Sequence, residues 1–147
     1  MDLNDCLEKG LLKKDYPDKE KSKKSLETAD NKLVLAKKLF NFDILEETFT
    51  SCYAVMFHAA RALLFKDGFR EKSHYGLFVY IKEKYSDRLE KRFINELNSL
   101  RLERHEINYG LENIHLEKSD AEVVLKIAEE FITAVRKIII YFMPFQP

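Results

Sequence analysis

The sequence predicts an all-α fold, a four-helix up-and-down bundle with a short extra helix at the N-terminus. Three observations carry that expectation. Apolar residues recur at helical spacing through four long stretches. Gly and Pro are scarce, at 4 and 3 in 147 residues, whereas a sheet sandwich needs many turn residues. The chain is 46% hydrophobic with 11 Phe and 7 Tyr, enough to fill one core without disulfide or metal staples. No repeat or low-complexity linker divides it, so it reads as one domain over residues 1–147.

Residues 1–14 read as a short helix ending in a lysine-rich turn. Pro17 suits the first turn of the next helix, where a missing N–H costs nothing. Leu26, Ala29, Leu33, Ala36 and Phe40 carry that helix to about residue 41. Asp43 is placed to cap the following one, whose stripe runs through Phe49, Tyr53, Met56, Phe57, Ala60, Leu63 and Leu64. Gly68 is the expected stop, because glycine enters the left-handed cap conformation freely. Phe69 to Ser73 reads as a loop. A third helical stretch starts near Ser73 and reaches Tyr85, and Ser86-Asp87 either interrupts or recaps it. Leu89, Phe93, Leu97 and Leu100 then continue the pattern to Tyr109, before Gly110. Ser119-Asp-Ala-Glu122 has the form of a capping box. It precedes Val124, Ile127, Phe131, Ala134, Ile138 and Phe142, and Pro144 stops the run.

The 25 basic and 25 acidic side chains cancel, so the overall basic surplus expected of a protein gripping long nucleic acid is missing. The charge is nevertheless uneven. Residues 9–38 hold ten Lys against five acids, and residues 103–130 hold eight acids against three bases. Solvated helix faces explain this most simply; a contact between opposite charges, or a local site for a phosphate-bearing partner, are the sharper readings. Cys6 and Cys52 are far apart and form no CxxC, which fits a reducing compartment. The acidic start Met1-Asp-Leu-Asn-Asp is unlike a secretory signal. The apolar segment from Phe131 to Phe145 is broken by Arg136 and Lys137 and is short for a bilayer. A cytoplasmic protein without a membrane partner is expected.

Four histidines, His58, His74, His105 and His115, are the first places to look for chemistry. Glu71/His74 and Glu112/His115 have the Glu-x-x-His spacing that di-iron bundles use. Both copies follow a glycine stop in expected loops and do not face a bundle core. No metal ligand set and no cofactor is therefore expected. His58 and Arg61 sit three apart in an otherwise apolar helix, hence on one face, and should be hydrogen-bonded, as a structural pair or as part of a site. Arg101, His105 and Asn108 or Tyr109 fall at i, i+4, i+7 and i+8, with Arg104 and Asn108 on the adjacent face. Guanidiniums, an imidazole and a phenol gathered at a helix end make suitable donors for a phosphate. Local ion pairs of Glu103 and Glu106 on a solvated helix end are the plain alternative. No Gly-rich phosphate loop, nucleophile with an obvious base, or zinc spacing is present.

These residues resemble a known family. Cys52-Tyr-Ala-Val-Met-Phe-His-Ala-Ala-Arg-Ala-Leu-Leu-Phe-Lys-Asp-Gly68 is similar to the "YYAMFHAARALL…G" helix of small archaeal and bacterial HEPN-domain proteins. Lys72-Ser-His74 looks like that family's "KSH", and Arg104-His-Glu-Ile-Asn-Tyr-Gly110 looks like its "R-x-x-A-D-Y-G". Gly10-Leu-Leu and Ala128-Glu-Glu-Phe-Ile132 also fit, so the resemblance covers nearly the whole chain in order.

The resemblance implies a helical bundle that forms a homodimer. In the wider family two Arg-x(4–6)-His motifs then share a cleft that cleaves RNA. It also implies a toxin–antitoxin system in which the partner is a minimal nucleotidyltransferase, with a nucleotide or RNA as ligand. This sequence departs from the ribonuclease spacing. After four residues intervening from Arg104 stands Tyr109, His105 is adjacent to Arg104, and only three residues separate it from Arg101. A tyrosine of pKa about 10 is a poor general base at neutral pH. The expected function is therefore phosphate binding through Arg101, Arg104, Asn108, His58, Arg61 and His74. Metal-independent RNA cleavage through Arg104, with His105 or Tyr109 in proton transfer, is the alternative. A non-catalytic oligomerisation module, using the aromatic stretch from Ile138 to Phe145, is a third reading.

Overall fold

The computed structural model describes residues 1–110 and 115–142, except for the side chains of Tyr109, Tyr141 and Phe142. Six helices and one small ribbon follow in the order α1 Leu3–Glu8, β1 Leu12–Lys14, α2 Lys19–Asn41, α3 Leu45–Asp67, β2 Phe69–Glu71, α4 His74–Tyr85, α5 Lys91–Tyr109 and α6 Lys118–Phe142. The expected all-α bundle is formed by α2, α3, α5 and α6, with α3 packed against the other three.

α3 is the hub because its residues are both apolar and small. Val55, Met56, Ala59, Ala60, Leu63 and Leu64 are fully buried, and alanines let a neighbouring backbone come close. Across the α2 interface two serines use that proximity. Ser22 Oγ donates to the Ala62 carbonyl at 2.8 Å, and Ser25 Oγ to the His58 carbonyl at 2.7 Å. Both hydroxyls are thereby satisfied inside a packed seam. On the far side of the core the rings of Phe93 and Phe131 join α5 to α6, with centroids 5.5 Å apart.

Several local expectations are corrected. The first helix ends at Glu8, and Leu12–Lys14 pairs antiparallel with Phe69–Glu71, where a loop was expected. Three-residue strands carry too little alternation to show in a sequence. α2 is capped by Asp18, whose carboxylate accepts from Lys21 N–H at 3.0 Å, and Pro17 stands before the cap. Asp43 does not cap α3: its φ is +59° and its carboxylate holds Lys118 instead. α6 starts at Lys118, so Ser119 lies inside the helix, and the Glu117 carbonyl accepts from Asp120 and Ala121 N–H. Ser86-Asp87 does interrupt the third stretch, where Arg88 and Leu89 N–H turn back onto the Tyr85 carbonyl. Gly68 ends α3 as expected, at φ +88°. The expected stop at Pro144, Phe145, Glu112 and the side chain of Phe142 lie outside the described residues. Among the described residues no helix is long and apolar enough to cross a membrane.

Candidate functional site

The ribbon decides where His74 stands. The Leu11 carbonyl, next to β1, accepts from Lys72 N–H at 2.9 Å, and Ser73 then caps α4 by accepting from Gly76 N–H at 2.8 Å. His74 is thus the first residue of α4, at an end where the helix field favours anions. Gly76 is required there. A Cβ on it would lie 2.3 Å from the Leu11 carbonyl oxygen.

Opposite His74 stands Tyr53 of α3, a buried residue of the core. Its Oη meets His74 Nδ1 at 2.7 Å. Burial pushes the phenol up to about 12, against the pull of Arg104 and Arg101. His74 has an open outer edge, but Tyr53 and Phe57 cover its Nδ1 side, with the Phe57 ring centroid 4.7 Å away. That covering lowers its pKa, and the Arg104 and Arg101 charges lower it further. The imidazole is held in its neutral form near pH 7.

Both arginines come from α5, three residues apart and so on one face. The Arg104 guanidinium lies 5.6 Å from the Tyr53 ring centroid. Arg101 lies 5.3 Å from that of Tyr75 and 6.0 Å from that of Phe78, and donates to Asn98 Oδ1 at 2.9 and 3.2 Å. Rings behind a guanidinium fix its plane while leaving its edge for an acceptor. Among the described residues, the buried Nε of Arg104 has no acceptor at all. A buried donor left unmade costs about 1–3 kcal/mol, so this corner is built at a cost to stability. A cleft of about 310 Å³ opens in front of His74, lined by Phe57, Glu71, Lys72, Ser73 and His74.

The remaining sequence-selected residues are scattered. His105 and Asn108 are exposed on α5, and the Tyr109 side chain lies outside the described residues. His58 and Arg61 are not hydrogen-bonded to each other. Arg61 Nε instead stands 2.7 Å from Glu71 Oε1, and the pair lies beside a second cleft, between α2 and α3. Glu71 is therefore paired to Arg61 and is not part of a Glu-x-x-His ligand set. His115 is exposed, with Nε2 3.5 Å from Glu117 Oε1. Among the described residues no group of three or more His, Cys, Asp or Glu is placed to hold a metal ion. Sequence reasoning overlooked Tyr53 and Phe57 as site residues, because in a stripe of period 3.6 they look like core.

The comparisons with known proteins agree with the architecture. A family model described as HEPN domain matches residues 22–138, and the chain belongs to the HEPN family. A relative from Methanocaldococcus jannaschii, named "Putative toxin MJ0605", is 28% identical over 134 residues, a match covering 88% of this chain and 95% of that one.

Proposed function

We propose that this HEPN protein is the nucleotide- or RNA-binding component of a toxin–antitoxin-type system, holding phosphate through Arg104 with Arg101 beside it. The observation that carries the reading is the ring-backed Arg104 guanidinium, whose buried Nε has no protein acceptor. A phosphate oxygen is the acceptor such a fork suits. The toxin-like role draws support from family membership and from the name of the relative. A homodimer and a minimal nucleotidyltransferase partner belong to the same reading, in a cytoplasmic setting. Calorimetric titration with AMP and with a short single-stranded RNA tests it. Arg104→Ala should weaken binding about ten-fold or more, the worth of a good charge-assisted contact. Unchanged affinity for both probes would overturn the assignment.

One observation favours RNA cleavage as a second reading: a neutral imidazole, His74, stands beside Arg104, whereas His105 has the wrong spacing. In the Nδ1–H tautomer, donating to Tyr53 Oη, His74 would accept the 2′-hydroxyl proton at Nε2 as that oxygen bonds to phosphorus, while the 5′-oxygen departs and takes up a proton from water. Cleavage of purified RNA in a chelator should then vanish in His74→Ala. Cleavage that persists in that variant excludes this role.

A further inference from the structure

We propose that the cleft between α2 and α3 is a second phosphate-binding site, separate from the one at Arg104 and independent of whether Arg104 binds. Lys21 and Lys24 stand three apart on α2, and His58 and Arg61 stand three apart on α3, so each pair shares a helix face. The two pairs line one cleft of about 180 Å³, together with Ser25, Thr28 and Phe65. That lining includes four nitrogen-bearing side chains and no carboxylate.

The positive charge here is concentrated and poorly neutralised. Lys21 Nζ lies 5.8 Å from the Phe65 ring centroid and the Arg61 guanidinium 5.1 Å from it, so two cations share one ring. Among the described residues, neither Lys21 nor Lys24 makes an ion pair within 4.0 Å, and the one carboxylate that reaches this group is Glu71, on Arg61. Elsewhere on α2, Lys37 pairs with Glu129 at 3.1 Å and Asp30 with Arg136 at 2.6 Å. The His58 pKa is lowered by burial first, then by Arg61 of this cleft and by Lys32 outside its lining.

The donor set selects a polyvalent anion. The Ser25 hydroxyl proton is committed to the His58 carbonyl and that of Thr28 to the Lys24 carbonyl. Two ammoniums, the guanidinium and an imidazole N–H remain to donate, and they converge from two helices. A tetrahedral phosphate offers oxygens in several directions, which a flat carboxylate does not. The apolar face of Phe65 at the same cleft suits a base or ribose attached to it. The source of the phosphate is either a mononucleotide or the backbone of a nucleic acid strand. A strand could fill both clefts, since Phe57 packs against His58 at 5.4 Å and His74 at 4.7 Å, and Arg61 and Glu71 bridge the two linings.

The experiment follows the His58 Cε1 proton by NMR in the full chain, titrated separately with inorganic phosphate, AMP and a short single-stranded RNA. The resonance should shift saturably. Lys21→Gln/Lys24→Gln, both exposed positions, should weaken that response about ten-fold and leave the His74 response and the melting temperature unchanged. Arg104→Ala should leave the His58 response to AMP in place, which separates this site from the Arg104 reading. A shift with AMP marks a mononucleotide site, and a shift with RNA alone marks a strand site. For RNA, the double variant should also lower the slope of log affinity against log salt by about 1.4. A His58 resonance that ignores all three probes, or responds equally in the double variant, overturns the proposal.

Discussion

The Tyr53 hydroxyl lies 2.7 Å from His74 Nδ1, a single contact that ties the hub helix α3 to the first residue of α4. Its geometry fixes the imidazole ring and, in the Nε2–H tautomer, lets the phenol donate to Nδ1 and leaves Nε2–H on the open edge. Tyr53→Phe should keep the fold and cost about 1 kcal/mol, the net worth of one such bond. Urea denaturation reads that loss. A cost near zero, with an unmoved His74 resonance, would show that the bond does not order the ring.

The histidines set a pH dependence whose direction is fixed. His58 and His74 are both held below their ordinary value of 6.5 by burial and neighbouring cations. The unfolded chain therefore binds protons first as pH falls. Their contribution to stability is complete above about pH 6.5 and is lost as pH drops through the lowered values. Glu96 and Glu103 act in the opposite sense at lower pH, since burial above all raises their pKa. Comparing the chain with His58→Gln/His74→Gln isolates the histidine part: the double variant should lose less stability between about pH 7 and about pH 5.5. Phosphate bound beside either ring should raise that ring's pKa, and NMR titration with and without phosphate checks the sign.

Gly76 makes a sharper mechanical prediction. A Cβ there would sit 2.3 Å from the Leu11 carbonyl oxygen and 3.0 Å from the Ser73 hydroxyl, both part of the contact between the ribbon and α4. Gly76→Ala should destabilise the protein by about 1–3 kcal/mol, as overpacking does, and shift the His74 resonance. Gly10→Ala serves as the contrast, because nothing stands within 4 Å of a Cβ there; its cost comes from φ +73° alone. If the two variants leave His74 equally undisturbed, the ribbon does not position it.

Much of this architecture was legible from period alone. The stripes through Leu26 to Phe40 and Phe49 to Leu64 specify two long helices, and both formed with α3 in the centre. Gly68 announced its turn because few other residues reach φ +88° cheaply. The site was less legible. Arg101, Arg104 and His74 were selected from residue chemistry, but periodicity cannot report that residue 74 faces residue 53 across two helices. Tyr53 reads as core since it is buried, although its hydroxyl meets His74 and its ring backs Arg104. Asp43 misled because a capping residue and a turn residue share the same short polar side chain; the ion pair that claims it comes from Lys118, far along the chain.

Arg104 ties stability to function most directly. Its Nε is buried without an acceptor among the described residues, and its charge helps depress His74. Removing it eliminates an unmade buried hydrogen bond. Arg104→Ala should therefore hold its melting temperature or raise it, by up to about 2 kcal/mol of added stability offset by lost contact with the Tyr53 ring, while ligand affinity falls. Arg104→Lys should keep the charge near His74 yet lose the planar fork, so it should bind more weakly than the parent chain and leave the His74 pKa nearly in place. Such a pairing, in which truncation stabilises the free protein and weakens the complex, distinguishes a binding residue from a structural one. Thermal unfolding with and without AMP measures both halves, and a lower melting temperature for Arg104→Ala without ligand would show that the side chain serves the fold.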